Sequence, residues 1–294
     1  MAVTEELQLP LKSQLTERII QLALLEDNVQ QDVTTNSLEE FDRPVTARVT
    51  TKEDGIISGT DIFTRTFRAV DPNVAVEVLK GDGSAVKKGD VVIELHGMES
   101  SILKAERTAL NFLQRLSGIA TLTKKYVDKL APFDITLLDT RKTTPGMRHL
   151  EKKAVIDGGG TNHRMNLEDM AMVKDNHIEM AGTISNAVKK IRERFPGKKI
   201  EVEVKNLEEL EEAIALNVDM IMLDNFTPQL QEEAVRITNR RVKLEVSGNV
   251  NLENIEEKAI KGIDFISVGA LTHSFRSLDL SLNISGLNTD KAKV

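Results

Sequence analysis

The fold class is clearest in residues 199–226, which read KIEVEVKNLEELEEAIALNVDMIMLDNF. Lys199–Val204 and Met220–Asp224 have the apolar pattern of strands, and the second run suits a strand buried on both faces. Between them, Leu207–Leu216 has the spacing of an amphipathic helix, with Asn206 as its N-cap. A strand, a helix and a second strand in this order predict two parallel strands joined by a right-handed crossover.

The same alternation extends on both sides of this stretch. Further strand-like runs are Ile135–Arg141, Ala171–Lys174, Val242–Ser247 and Phe265–Gly269. A long helical run precedes them from Ser100 past Leu116, and we expect Gly118 to break it. Repeated strand–helix units predict an α/β domain with a parallel sheet, and either a barrel or an open sheet satisfies the pattern.

The first hundred residues have a different pattern. Helical spacing is found in residues 12–25 and again in residues 62–70. Short alternating runs at Val45–Thr51, Val74–Leu79 and Asp90–Leu95 predict strands, since glycines follow or separate them as turns would. These elements predict a small α+β domain with an antiparallel sheet. The alternation of Leu278, Leu280, Leu282 and Ile284 predicts one more strand, in the antiparallel sense.

The composition of the 294-residue chain narrows the class of protein. Hydrophobic residues make up 40% and charged residues 29%, which is ordinary for a soluble globular protein. The net charge of −7 disfavours a nucleic-acid partner, because such proteins usually carry a basic surplus. The absence of cysteine excludes disulfides, thiolate metal sites and a cysteine nucleophile.

Targeting signals are not evident in the sequence. The opening MAVTEELQLP is acidic and lacks an apolar core, so we do not expect it to be a signal peptide. No apolar run approaches the roughly 20 residues that a membrane-spanning helix needs. The expected location is therefore the cytoplasm, with no membrane partner.

Polar and charged residues follow the predicted strands. Carboxyl ends of parallel strands meet at one edge of a sheet or one mouth of a barrel, where functional residues collect. Five cationic side chains are expected to face one cavity there: Arg141, Lys142, His163, Arg164 and Lys174. Clustered cations in an acidic protein indicate a ligand with several negative charges.

The remaining strand ends carry carboxylates and small residues. Glu203 and Asp224 lie on neighbouring predicted strands, where they would hold Mg²⁺ or stabilise a developing positive charge. Ser247-Gly248 and Gly269 offer backbone N–H groups before helices, an arrangement that binds phosphate. Lys174 is either a Schiff-base nucleophile or an anchor for a carboxylate.

Arg107 is placed unusually in the long helix. Leu103, Arg107 and Leu110 fall on one helical face by their spacing. An arginine on an apolar stripe either extends its head group to water or reaches a buried anion. The pattern alone favours the first interpretation.

Taken together, the motifs resemble the quinolinate phosphoribosyltransferase family. The matching stretches are AERTALNFLQRLSGIAT (105–121), DTRKTTPGMR (139–148), GGGTNHR (158–164), KDNH (174–177), EVEV (201–204), LDNF (223–226), VSGN (246–249) and SVGALTHS (267–274). The set is specific because the motifs occur in the family's order over most of the chain. It implies an N-terminal α/β sandwich over residues 1–112, joined by a strand at 277–294, and an incomplete, seven-stranded α/β barrel over 113–276.

The resemblance also implies an activity and residue roles. The reaction joins quinolinate to the ribose of phosphoribosyl pyrophosphate, with loss of pyrophosphate and CO₂, in a homodimer that uses Mg²⁺.

The resemblance implies a role for each candidate site residue. The two carboxylates of quinolinate would be bound by Arg141, His163, Arg164 and Lys174, and Arg107 would reach the partner's site. Lys142 would contact substrate or phosphoribosyl groups. Glu203 and Asp224 would hold the ribose hydroxyls and the region of the bound Mg²⁺. The 5′-phosphate would be bound by Ser247, Gly248, Gly269 and His273.

Three alternatives remain open from the residues themselves. A Schiff-base lyase would use Lys174 or Lys142 as its nucleophile. A related phosphoribosyltransferase would act on a different acid, since the cationic set favours a dicarboxylate without naming it. A non-catalytic binding barrel is the third, although carboxylates at the mouth would not help it to bind anions.

Overall fold

The computed structural model describes residues 11–285. The predictions made for residues 1–10, and for the part of the last strand beyond residue 285, lie outside the described residues. The α-helices are α1 Leu11–Glu26, α2 Val33–Ser37, α3 Thr60–Val70, α4 Glu99–Leu130, α5 Arg148–Asp157, α6 Asp175–Ala181, α7 Ile184–Arg194, α8 Leu207–Ala215, α9 Pro228–Thr238, α10 Ile255–Lys258 and α11 Ala270–His273. Two short 3₁₀ helices are Val29–Gln31 and Glu39–Phe41.

The strands follow the sequence-based predictions closely. They are β1 Pro44–Thr51, β2 Gly55–Ile56, β3 Ala75–Val78, β4 Ala85–Val86, β5 Val91–Met98, β6 Thr136–Leu138, β7 Ala171–Val173, β8 Ile200–Val204, β9 Met220–Asp224, β10 Lys243–Ser247, β11 Phe265–Ser267 and β12 Leu280–Ser285. Each predicted strand is present, and several are shorter by one to four residues, mostly because their polar ends belong to loops.

The described chain divides into two compact units. The first contains residues 11–121, 145–158 and 276–285, and the second contains residues 122–144 and 159–275. The boundary predicted between residues 112 and 113 falls within α4, which continues from the first unit into the second. The segment 145–158, which carries α5, folds with the first unit.

The first unit is built on an antiparallel sheet with the strand order β12–β1–β5–β3. Val49 of β1 pairs with Ile93 of β5 and Leu282 of β12, so alternate apolar residues of three strands face one core. Helices α3 and α4 cover that face, and Phe63 and Phe67 of α3 pack with ring centroids 4.9 Å apart. Burial of each phenylalanine contributes roughly 1.5–3 kcal/mol. The predicted α+β domain and its late antiparallel strand are confirmed.

The second unit is built on a parallel sheet with the strand order β6–β11–β10–β9–β8–β7. Its central strands are buried on both faces, with Glu201, Glu203 and Glu245 among otherwise mainly apolar residues, and helices lie between successive strands in the chain as the alternation predicts. The carboxyl ends of all its strands therefore lie at the same edge, where the candidate site residues follow them.

The sheet of the second unit has six named strands where the resemblance implies seven. At the edge of β6 opposite β11, Thr161 makes an isolated parallel bridge to Leu138. Thr161 N–H donates to Leu137 O at 2.9 Å, and Asp139 N–H donates to Thr161 O at 3.1 Å. The segment after the three glycines thus adds a one-residue pairing that is too short to count as a strand.

The predicted break of the long helix near Gly118 is wrong. Helix α4 is continuous from Glu99 to Leu130. A β-carbon at residue 118 would contact the backbone oxygen of Arg276 and would lie 2.8 Å from Ser277 Cα. Glycine is present because another segment of the first unit passes close to the helix, and its lower helix propensity is overridden by the surrounding packing.

We expect Gly118→Ala to lower the free energy of unfolding by about 1–3 kcal/mol, the usual cost of overpacking. The clash is with backbone atoms, which cannot rotate away, so it should outweigh the gain of about 1 kcal/mol in helix propensity. Gly81→Ala is the matched control, since its β-carbon would meet nothing within 4 Å. Urea unfolding of both variants measures the difference. A Gly118→Ala protein as stable as the wild type would contradict the close approach.

Of the helices described between residues 11 and 285, none combines the length and hydropathy that crossing a bilayer requires.

Candidate functional site

Residues at the carboxyl ends of the parallel strands line one cavity of about 870 Å³, which we call the strand-end cavity. This volume lies within the range of typical small-molecule sites. Except for Arg107, every site residue predicted from the sequence lines it: Arg141, Lys142, His163, Arg164, Lys174, Glu203, Asp224, Ser247, Gly248, Gly269 and His273. The structure therefore brings together residues from seven separate segments of the second unit.

Arg141 follows β6 and is half-buried in the cavity wall. Its Nε is buried and has no hydrogen-bond partner in the part of the chain that the structure describes. An unpaired buried N–H of a charged group costs free energy, and a carboxylate or phosphate in the cavity would satisfy it. The arginine is thus arranged for an anionic ligand.

Arg164 lies in the loop before β7 and lines the same cavity. Its guanidinium donates to Met170 O at 3.1 Å, which fixes its direction from the loop. Burial and the neighbouring positive charge of Arg141 both lower the pKa of Arg164, while the carboxylate of Glu201 opposes that shift. Two guanidinium groups held near each other favour a ligand with more than one negative charge.

Lys174 follows β7, and its ammonium forms an ion pair with Glu203 of β8. Glu203 is largely buried, with 11% of its side chain exposed. Asp224 ends the neighbouring strand β9 and also faces the cavity. The cavity thus has a cation and two carboxylates on three neighbouring strand ends, so that one part of a ligand can meet cations and another part can meet carboxylates.

A buried cluster of Glu201, His163 and Glu245 adjoins the cavity, and we call it the acid–imidazole cluster. His163 Nε2 lies 3.0 Å from Glu201 Oε2 and 3.2 Å from Glu245 Oε2. Burial disfavours the charged imidazole, but the two carboxylates outweigh it and raise the pKa of His163 to about 9. Burial also raises the pKa of Glu201 to about 7, helped by the like charge of Glu245 and opposed by His163.

The loop after β10 is held tightly at the cavity. Gly248 has φ = +94°, and a β-carbon there would collide with the side chain of Asn225, so only glycine fits. Asn225 N–H donates to Ser247 O at 3.0 Å, and Lys258 Nζ donates to Gly248 O at 3.2 Å. These bonds hold the loop so that its backbone faces the cavity, as a phosphate site requires.

The loops after β6 and β11 are joined to each other. Thr272 Oγ1 donates to Lys142 O at 2.8 Å. His273 Nε2 and Lys142 Cδ both lie 3.0 Å from the place that a β-carbon of residue 269 would occupy. The exposed side chains of Lys142 and His273 therefore lie next to Gly269, where they add an ammonium group and an imidazole to the same wall.

Arg107 is in the first unit and does not line the strand-end cavity. Its side chain is exposed, and so is 44% of Leu103, while Leu110 is buried. The interpretation of an apolar stripe is therefore wrong: the helical periodicity places Arg107 at the edge of the buried face. Arg107 lines a smaller cavity of about 260 Å³ together with Arg115 and the acidic side chains of Glu26 and Asp27.

The cavity offers oxygen ligands for a hard cation at Glu203 and Asp224. Among residues 13–284, the groups of three side chains close enough to coordinate one ion are His163–Glu201–Glu245 and Glu77–Glu94–His96, and neither includes Glu203 or Asp224. Glu203 is also engaged with Lys174. The donor set thus fits Mg²⁺ that is coordinated mainly by a phosphate ligand and water, with one or two carboxylates nearby.

Sequence reasoning missed Glu245 and Asp139, which also line the cavity. The sequence contained a signal for Glu245, because Glu245 and Ser247 are two residues apart on β10 and their side chains therefore lie on the same face of the strand. Asp139 is fully buried and accepts the backbone N–H of His163 at 2.8 Å. Its position directly after an apolar strand gave no indication that it would hold another loop.

Comparison with known proteins agrees with this geometry. Residues 32–117 match the family model described as quinolinate phosphoribosyl transferase, N-terminal domain, and residues 119–283 match the C-terminal domain. The nicotinate-nucleotide pyrophosphorylase [carboxylating], chloroplastic, of Arabidopsis thaliana is 44% identical over 90% of this chain and 82% of its own length. A probable nicotinate-nucleotide pyrophosphorylase [carboxylating] of Bacillus subtilis is 43% identical over 89% of this chain and 90% of its own. The structure of the nicotinate-nucleotide pyrophosphorylase from Francisella tularensis superposes with a TM-score of 0.90 at 42% identity, covering 95% of this chain and 98% of that one.

Proposed function

The chain belongs to the quinolinate phosphoribosyltransferase family, and from this premise we propose how its strand-end cavity carries out the family's reaction. The enzyme transfers the phosphoribosyl group of phosphoribosyl pyrophosphate to the ring nitrogen of quinolinate, and pyrophosphate and CO₂ leave. The product is nicotinate mononucleotide, an intermediate of NAD biosynthesis.

Recognition of the acceptor is assigned to the cationic wall. The observation that carries this assignment is the buried, unpaired Nε of Arg141, beside Arg164 and Lys174 in one cavity. Two like charges about 4 Å apart cost about 4 kcal/mol at an effective dielectric constant of 20, so two anionic substrates need such a lining. Arginine suits carboxylates because its planar group binds them in a bidentate manner. His163 belongs to the same wall.

Recognition of the donor is assigned to the later strand ends. Ser247, Gly248, Gly269 and His273 would bind the 5′-phosphate, and this is supported by the fastening of the Ser247–Gly248 loop to Asn225. Glu203 and Asp224 would hold the ribose hydroxyls. Lys142, whose head group is exposed beside Gly269, would contact the phosphoribosyl group or the acceptor.

The two carboxylates have a further role in the transition state. As pyrophosphate departs, positive charge develops on the ribose ring. Glu203 and Asp224 would stabilise that charge only as it develops, which raises the rate rather than merely tightening binding. Glu203 is mostly buried, so its interaction with the developing charge is less screened by water than at a surface.

Mg²⁺ is the metal that this donor set fits. It would be held mainly by the pyrophosphate group of the donor, with Glu203 and Asp224 nearby. When bound, the metal neutralises part of the charge of the leaving pyrophosphate.

Decarboxylation follows from the bond made to the ring nitrogen. The positively charged ring nitrogen stabilises the electron pair that remains at C2 when the neighbouring carboxylate leaves as CO₂. A proton then binds at C2. No redox cofactor is needed for this step. The cationic wall would hold the remaining carboxylate and so keep the ring in place.

We also assign a homodimer in which Arg107 of one protomer completes the partner's site. The exposure of Arg107 supports this, since its guanidinium is accessible to a second chain. A cytoplasmic location stays a prediction, and relatives from plants are named chloroplastic or mitochondrial. A Schiff-base lyase that uses Lys174 is not favoured, because the Lys174 head group is engaged in an ion pair with Glu203 rather than placed as a free amine.

We expect the purified enzyme to form nicotinate mononucleotide and CO₂ in equal amounts from quinolinate, phosphoribosyl pyrophosphate and Mg²⁺. Removal of divalent metal with EDTA should lower turnover at least about 100-fold, because the pyrophosphate charge is then not neutralised, and added Mg²⁺ should restore it. Nicotinate is the control acceptor, since it lacks the second carboxylate. Equal rates with nicotinate, or no product from quinolinate, would contradict the assignment.

A further inference from the structure

The acid–imidazole cluster contains two glutamates that the proposed reaction does not use. Glu201 on β8 and Glu245 on β10 are both fully buried, and both place a carboxylate oxygen at His163 Nε2, at 3.0 and 3.2 Å. Burying two carboxylates is expensive unless they serve another group. The group they share is the imidazole of His163.

The other side of His163 is bound to the loop that carries it. Nδ1 lies 2.7 Å from the backbone nitrogen of Arg164 and accepts that N–H, while the backbone N–H of His163 donates to Asp139. Nε2, on the opposite side of the ring, is the atom nearest the two glutamates. The imidazole is therefore held between the Arg164 amide at Nδ1 and the two carboxylates at Nε2.

Arg164 is the residue that this arrangement orients. Its backbone N–H is bound by His163, its guanidinium donates to Met170 O, and the side chain lines the strand-end cavity. Arg164 is also close enough to Arg141 for the two charges to repel, and the carboxylate of Glu201 offsets that repulsion. The acid–imidazole cluster therefore contacts the Arg164 loop through His163, and its Glu201 carboxylate offsets part of the repulsion between Arg164 and Arg141.

We propose that Glu201 and Glu245 are positioning residues for acceptor specificity. They hold His163, and through it Arg164, in the geometry that binds a pyridine dicarboxylate. This inference rests on the proposed function, and it gives His163 a positioning role toward Arg164 in addition to its place in the cationic wall. The residues assigned to the phosphoribosyl donor are not members of the acid–imidazole cluster, although Glu203 and Ser247 lie at the ends of the two strands that carry its glutamates. We therefore expect the affinity for the donor to change much less than the affinity for the acceptor.

The test compares Glu245→Gln and Glu201→Gln with the wild type in steady-state kinetics. Glutamine keeps an oxygen acceptor for Nε2–H but loses the charge, and we expect KM for quinolinate to rise about tenfold. KM for phosphoribosyl pyrophosphate should stay within about twofold, and kcat within about threefold. Glu245→Leu, which removes the acceptor, should raise KM for quinolinate further. The exposed Glu257→Gln on α10 is the matched control, with unchanged constants.

A double-mutant cycle separates positioning from a general loss of structure. If Glu245 acts through His163, then Glu245→Gln should change KM for quinolinate less than about twofold in a His163→Ala background. Thermal unfolding identifies any variant that fails to fold. If the leucine variant does not fold, the two glutamine variants still test the proposal. An unchanged KM for quinolinate in both glutamine variants, an equal rise in both KM values, or full additivity with His163→Ala would overturn the proposal. If wild-type enzyme did not use quinolinate, the proposed function itself would fail instead.

Discussion

Arg141→Ala is expected to lower kcat/KM for quinolinate by about 10²–10³-fold, the equivalent of losing 3–4 kcal/mol of interaction with a buried anionic group. The guanidinium of Arg141 is half-buried, and its Nε has no partner in the described part of the protein. In the proposed site a carboxylate of the substrate would supply the missing acceptor, and alanine would leave that carboxylate without a donor. Steady-state kinetics with quinolinate as the varied substrate measures this loss.

Two variants control for this prediction. Arg141→Lys keeps the charge but loses the planar pair of donors, so it should recover only part of the activity. Arg236→Ala removes an arginine that is exposed on α9 and pairs with Glu233, and it should behave as the wild type. An Arg141→Ala enzyme with kcat/KM within threefold of the wild type, and with an intact fold, would remove Arg141 from the site.

Lys174→Ala is expected to lower kcat/KM by about 10³-fold, because it affects both the acceptor wall and the carboxylate of Glu203. It removes a cation from the acceptor wall, and it also leaves the mostly buried carboxylate of Glu203 without its ion-pair partner. Lys205→Ala is the matched control, since Lys205 follows β8 and pairs with the exposed Asp175 at 3.3 Å. Similar losses in the two variants would show that charge near the cavity, and not the position of Lys174, is what matters.

The same variant tests the shared site. Arg107→Ala and Lys174→Ala proteins should each be nearly inactive, but a mixture under subunit-exchange conditions should regain about a quarter of the wild-type activity. Half of the randomly formed dimers are hybrids, and each hybrid has one site with both residues intact. If exchange is verified by labelled subunits and no activity returns, Arg107 does not complete the partner's site.

Much of the fold was predictable from periodicity. The alternation of strands and helices in residues 199–226 is local and strong, so β8, α8 and β9 appear where the pattern places them. Gly118 shows where local reasoning fails. A glycine in a helical run usually weakens the helix, but here the approach of residues 276–277 requires it, and the sequence distance between these segments hides the contact.

The sequence predicted which residues line the candidate site better than it predicted how those residues pair. Residues that follow parallel strands converge by topology, so the cations and carboxylates of the cavity were identifiable one by one. Their pairings were not, because the Lys174–Glu203 ion pair and the acid–imidazole cluster join residues 29 and more positions apart. Glu245 was overlooked although it shares a strand face with Ser247, because the sequence does not show that this face meets His163.

We propose that cations from separate strand ends neutralise a pyridine dicarboxylate beside the sugar site. The decisive experiment is a crystal structure of the enzyme with bound quinolinate. We expect both carboxylates in the strand-end cavity, within hydrogen-bond distance of Arg141, Arg164 and Lys174, with Arg141 Nε donating to one of them. Quinolinate bound at another place, or bound in the cavity with its carboxylates turned away from these three side chains, would contradict it.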